Sequence, residues 1–257
     1  MMIDDHMVMD YLCGRNMEAY RDCWIFHSFG NGSIFELPDQ RHRARAAKLQ
    51  DQLKAQLLNF QPRSSTVIKM LFPNFDRIAA QCTVLLVVGF PAPYDAVTLE
   101  HDGKEYVIFD LLRVGEDAAN AEDRCRKLLT HELIHLCLHE YYPVPEGLSY
   151  LEALSYTAFD EGFAHALSYG VDLSEPVFND FLSGKLDTAK ETLRRAVGET
   201  DPGQQAQYRK AADTGSYWDK FASIAGKLYI LKNIGTVEKT FYHGWYDFAD
   251  KILLPQE

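Results

Sequence analysis

The chain has 257 residues, 47% of them apolar, 12% aromatic and 25% charged, the usage of an ordinary globular protein, which excludes disordered, fibrous and repeat architectures. Its 26 Lys and Arg against 37 Asp and Glu give a formal net charge of -11, and that sign opposes the attraction to phosphate on which nucleic-acid binding depends. A chain of this length buries a substantial core unaided, so any bound metal serves chemistry and not cohesion.

Five cysteines, Cys13, Cys23, Cys82, Cys125 and Cys137, form no CxxC pair and are odd in number, which argues against a disulfide framework. Residues Met1 to Asp10 carry Asp4, Asp5 and Asp10 where a signal peptide has a basic stretch and an apolar run. The apolar run Val84 to Val88 is far below membrane-spanning length. Together these features lead us to expect a cytoplasmic protein with no membrane and no nucleic-acid partner. The basic cluster Arg41, Arg43, Arg45 and Lys48, diluted by Asp39 and Asp51, reads as a solvated helix face.

In chain order, Glu18 to Phe29 reads as helical, with a break at Gly30, Asn31 and Gly32, and Gln40 to Phe60 as a second helix rich in Ala, Leu, Lys and Gln. Four β-branched or aromatic runs bounded by Pro and Gly then read as strands: Val67 to Phe72, Thr83 to Phe90, Ala96 to Glu100 and Glu105 to Leu112. Asp102 and Gly103 between the last two are a strong hairpin signal. After Gly115 the pattern turns helical: Ala121 to Glu140, capped by Asn120 and closed before Pro143, then Ser149 to Tyr169, ended by Gly170. Asp187 to Val197, Tyr217 to Lys232 and Val237 to Leu254 follow, with Gly198 to Gly203 and Asp213 to Ser216 as loops. No long linker interrupts the chain. The expectation is one α+β domain over residues 1–257, mainly helical with a small mixed or antiparallel sheet, its sheet-containing half in 1–115 and its helical half in 116–257.

The helix from Ala121 is apolar nearly all round its second half, with Leu129, Leu133, Ile134, Leu136, Cys137 and Leu138, so it is expected to run through the core. Yet it contains His131, Glu132, Leu133, Ile134 and His135, an HExxH sequence. Two His four apart project from one face, close enough to bind one cation. Glu132 lies about 100° round the helix, beside the cation and not on it, where a base stands to take a proton from water. With nine His in the chain, the pattern arises by chance about 0.02 times per chain.

A zinc site needs a third protein ligand. His139 lies one turn further along the same helix, and a rigid helix cannot wrap three residues spanning two turns around one ion, so His139 is expected behind the ligands or at the surface. The long motif with a third His six residues after the second is excluded by Leu138 and Tyr141, which stand where it needs Gly and His. Glu161, within Asp160-Glu161-Gly162-Phe163-Ala164-His165 and 26 residues after His135, is the best candidate; Glu146, in a Pro-rich loop, is a weaker one. Gly162 inside a helix suggests a close approach between the two metal helices.

At these residues, over 83 to 170 and so roughly a third of the chain, the sequence resembles the gluzincins. These are zinc peptidases in which HExxH is followed by a Glu ligand on a later helix. It looks most like predicted zinc peptidases whose ligand helix reads Glu-Gly-Phe-Ala or Glu-Gly-Leu-Ala. The resemblance implies a zincin-like fold and one Zn²⁺ held by His131, His135 and Glu161. It implies hydrolysis of peptide bonds in a peptide or small-protein substrate, with Glu132 as general base. It also implies that the edge of the Glu105 to Leu112 strand takes up the extended substrate, and that a Tyr or His stabilises the oxyanion; Tyr217 is the first choice, with Tyr242 and His243 as alternatives. The sequence departs from the group at His165, where many members have an Asp that orients a zinc ligand, so Asp160 is expected to hold His131 instead. That departure motivates a different reading: a zincin-like peptide-binding or regulatory protein without useful hydrolytic activity.

Overall fold

A computed structural model of the chain describes residues 1–29, 32–92, 94–115, 120–171, 173 and 177–254. The architecture is α+β, largely helical with one small mixed sheet, as the sequence pattern predicts. The chain divides into two compact units, residues 1–62 with 74–133, and residues 63–73 with 134–257.

The first unit holds β1 (Met2–Asp4), α1 (His6–Leu12), α2 (Trp24–His27) and α3 (Arg43–Leu58). The second unit takes the next helix, α4 (Ser65–Leu71), and the first unit resumes with α5 (Phe75–Gln81), β2 (Thr83–Val87), β3 (Ala96–His101), β4 (Lys104–Asp110) and α6 (Leu111–Val114). The sheet order is β1-β2-β4-β3, parallel except for the antiparallel β3–β4 hairpin. Central strands of a parallel sheet are covered on both faces and so read as continuous apolar runs; Val107, Ile108 and Phe109 of β4 are fully buried. The hairpin turn has positive φ at both Asp102 (51°) and Gly103 (71°), the backbone a two-residue type I′ turn requires.

Three expectations for this region change. The strand read at Glu105 to Leu112 is an interior strand, paired on both sides, so it offers no free edge; among the described residues the edge strands are β1 and β3, the latter beside it. Val67 to Phe72 is not a strand: Val67 to Leu71 lie in α4, where Val67, Ile68 and Leu71 are fully buried, and Phe72 caps it. In so short a run, burial at helical spacing outweighs the β preference of branched side chains. Glu18 to Phe29 forms only a 3-10 turn and the four-residue α2, and the break read at Gly30 and Asn31 lies outside the described residues.

Helix α7 (Ala121–Tyr141) runs unbroken through the junction of the units, which falls between Leu133 and Ile134. The second unit continues with α8 (Tyr150–Tyr169), α9 (Asp180–Val197), α10 (Pro202–Ala211), α11 (Phe221–Lys232), α12 (Val237–His243) and α13 (Phe248–Leu253). The helix expected over Val237 to Leu254 is broken at Gly244, whose φ of 86° an L side chain rarely adopts. Gly198 to Gly203 is only partly loop: Asp201 caps α10, its carboxylate accepting from the Gln204 amide at 2.8 Å, and Pro202 opens it.

Helices α8 and α11 touch backbone to backbone. A Cβ on Gly226 would lie 1.8 Å from the Ala158 carbonyl oxygen, and one on Gly162 would lie 2.9 Å from the Gly226 Cα. Gly162 does permit a close approach, then, but its partner is α11 and not α7.

Candidate metal centre

Two helices carry the site, and each starts where its sequence says it should. α7 has Glu122 and Asp123 in its first turn, against the positive end of its dipole. α8 opens with a capping box: the Ser149 hydroxyl accepts from the Glu152 amide at 3.4 Å and Glu152 accepts from the Ser149 amide at 2.8 Å. Gly170 ends it at a φ of 94°. With both ends fixed, Asp160, Glu161 and His165 take defined positions in the second half of α8, among the buried Phe163, Ala164, Ala166 and Leu167.

His131, His135 and Glu161 each offer one ligand atom, and these atoms all lie within 4.8 Å of one another. His135 is buried and makes the geometry specific. Its Nδ1 lies 2.8 Å from Asp160 Oδ2, while its Nε2 lies 3.7 Å from Glu161 Oε1. An ionised carboxylate only accepts, so the Nδ1 proton is donated to Asp160, and Nε2 is the nitrogen on the Glu161 side. This is the arrangement in which a ligating imidazole is aimed by a carboxylate behind it.

Asp160 is 8% exposed. Burial alone would push its carboxyl up, but the His135 and His139 imidazoles beside it hold it well below the usual carboxylate range. Its second oxygen lies 3.4 Å from His139 Nε2, and His135, His139 and Asp160 make a second group whose possible ligand atoms lie within 4.8 Å of one another. The sequence reading has Asp160 holding His131; the structure gives it His135. The acid that holds His135 is thus the residue immediately before Glu161.

The remaining member of HExxH, Glu132, is 6% exposed. The Thr98 hydroxyl of β3 donates to its Oε2 at 2.8 Å, which fixes one carboxylate oxygen. Thr98 is not singled out by sequence reading, since nothing local ties it to residue 132.

Around Glu161, His165 Nε2 lies 3.3 Å from Oε2, and the His165 ring meets the Tyr217 ring edge-on with centroids 5.6 Å apart. Tyr217 heads the short 3-10 turn before α11, and burial pushes its hydroxyl up to about 12, so it keeps its proton. Of the three residues considered for the oxyanion, this is the one found beside the ligand helix. Tyr242 is 59% exposed, and His243 is exposed and paired with Asp247 at 2.7 Å. Glu146 is exposed and belongs to neither of the two ligand groupings found among the described residues.

The Tyr217 hydroxyl oxygen accepts from Lys227 Nζ at 2.7 Å. Lys227 is fully buried and is the sole charge between Lys220 and Lys232 in the sequence, a signal the pattern contains but that points to no chemistry until its neighbours are known.

No known family, curated protein or solved structure matches this chain. Among the described residues no helix is long and apolar enough to cross a membrane.

Proposed function

We propose that the protein is a zinc-dependent peptidase of zincin-like architecture. The single observation that carries the reading is His135, aimed by Asp160 on one nitrogen and turned toward Glu161 by the other. The donor set tests the metal. Two imidazoles and one carboxylate suit Zn²⁺ and leave a fourth position for water, whereas Mg²⁺ and Ca²⁺ favour all-oxygen shells. Zinc in such a set lowers the pKa of a water molecule and polarises a carbonyl.

The chain's own residues account for the rest. Glu132, steadied by Thr98, takes a proton from water and passes it to the leaving amine. Tyr217, protonated at neutral pH, donates its O–H to the developing oxyanion. An extended peptide would pair with β3, the strand that carries Thr98, by adding a strand to its free edge. This replaces the Glu105 to Leu112 strand, whose backbone groups are already used on both sides.

A second reading, a peptide-binding protein without turnover, is favoured by His165 standing beside Glu161 where an orienting acid is common. The two separate in one experiment. Zinc-loaded wild type is expected to cleave members of a mixed peptide library, and Glu132→Gln is expected to keep its zinc while losing turnover by at least about a hundredfold. Cleavage unchanged in Glu132→Gln would overturn the peptidase reading; zinc without any cleavage would favour the silent one.

A further inference from the structure

Lys227 has no part in the chemistry described so far, yet its place is costly. Removing an ammonium from water is expensive, and replacing a buried charge by an apolar side chain of similar size is often neutral or stabilising. A lysine kept at full burial is therefore a poor device for cohesion alone, and its surroundings show where the charge is directed. Nζ donates to the Tyr217 hydroxyl at 2.7 Å and lies 4.0 Å from the centroid of the Tyr169 ring. The Lys227 amide nitrogen would sit 3.1 Å from a Cβ at Gly162, so the side chain is rooted where α11 touches α8, beside the residue that follows Glu161. Tyr169, the last residue of α8, and Tyr217 are thus gathered round one cation, and Tyr217 in turn meets His165, which reaches Glu161.

A phenol accepts one hydrogen bond on its oxygen and still donates its own proton. An ammonium on that oxygen draws electron density from it, and hydrogen bonds in a chain polarise one another, so the O–H becomes a stronger donor. We infer that Lys227 is a positioning residue: it fixes the Tyr217 hydroxyl and strengthens it as the donor to the oxyanion formed in peptide hydrolysis. This inference rests on the peptidase reading and adds to it the residue that activates the oxyanion donor.

The test is a double-mutant cycle of Lys227→Met and Tyr217→Phe on the zinc-loaded protein. Met keeps the unbranched stem and drops the charge. Lys227→Met is expected to lower kcat on a cleaved library peptide by roughly ten- to a hundredfold, with KM and zinc content nearly unchanged. In the Tyr217→Phe background the same substitution is expected to change kcat less than about twofold. A peptide phosphonate, which presents a tetrahedral anion, reads the same contact without turnover: calorimetry should show about tenfold weaker binding in Lys227→Met and no further loss in the double variant. Equal losses with and without Tyr217, or an unchanged kcat and phosphonate affinity, would overturn the inference while leaving the peptidase reading intact. A wild type that binds zinc and phosphonate but cleaves nothing would overturn the peptidase reading, and the phosphonate cycle would then decide the Lys227 contact alone. Lys227→Gln, which keeps an N–H donor, is the second variant. Loss of the folded state in both would assign Lys227 to the core and overturn the inference.

Discussion

Two buried aspartates, one in each unit, show how the same residue type does different work. Asp110, 1% exposed at the end of β4, accepts from the backbone amides of Gly89 and Phe90 at 2.7 and 2.8 Å and from those of Leu112 and Arg113 at 2.9 and 3.0 Å. Its four partners are all main chain, so it ties a loop and the start of α6 to the sheet. Asp160 is almost as buried, but its partners are two imidazoles, one of them turned toward a second carboxylate. A carboxylate that satisfies backbone groups builds the fold; one that aims side chains able to ligate builds a site.

Substitution should separate the two sharply. Asp110→Ala leaves four amides without their acceptor and is expected to cost about 3 to 5 kcal/mol by chemical denaturation, with zinc affinity unchanged in whatever folds. A loss below about 1 kcal/mol would remove Asp110 from its structural role.

Acid should then separate them by sign. Burial outweighs the four amides at Asp110 and pushes its carboxyl up to about 6. The folded state therefore binds that proton more tightly than the unfolded chain, and the contribution to stability falls as pH rises from about 4 to about 6. Asp110→Asn should accordingly cost more near pH 4 than near pH 7, by up to about 3 kcal/mol. Asp160 is held low, so its contribution is present above about pH 4 and lost as pH falls below it. Asp160→Asn should cost more near neutrality than in acid. Denaturation curves at the two pH values check both signs, and the same sign for both would break the contrast.

Metal affinity gives the next effect in size. Asp160→Asn should leave the unit folded and weaken zinc binding by about ten- to a hundredfold, because His135 loses the acceptor that fixes its tautomer and orientation. Unchanged affinity by competition with a chelating dye would show that Asp160 merely neutralises its surroundings. The smallest effect is expected at Thr98→Val, which removes one hydrogen bond to Glu132 and should lower kcat by roughly three- to tenfold with zinc content intact.

How much of this was legible in the sequence follows from how far apart the cooperating residues lie. His131, Glu132 and His135 occupy five consecutive positions on one helix, so helical geometry alone relates them. Glu161 is legible because its own helix is sharply capped at Ser149 and Gly170. The hairpin at Asp102 and Gly103 is equally local. What the sequence hides is tertiary. Nothing near Thr98 announces Glu132, and the free edge of β3 depends on β4 sitting between β3 and β2, an order that strand patterns do not encode. Val67 to Leu71 misleads because branched side chains favour strands only when packing agrees. Gly162 announces a close approach without naming α11, and Lys227 is visible as a charge in an apolar run without revealing that Tyr217 receives it.

We propose that His131, His135 and Glu161 form one functional metal site that the fold does not need. The most direct test measures zinc by elemental analysis in wild type, Glu132→Gln and His135→Ala, beside their melting temperatures. About one zinc per chain is expected in the first two, little in His135→Ala, and a cooperative melt in all three. Equal zinc in His135→Ala and wild type, or an unfolded His135→Ala, would contradict it.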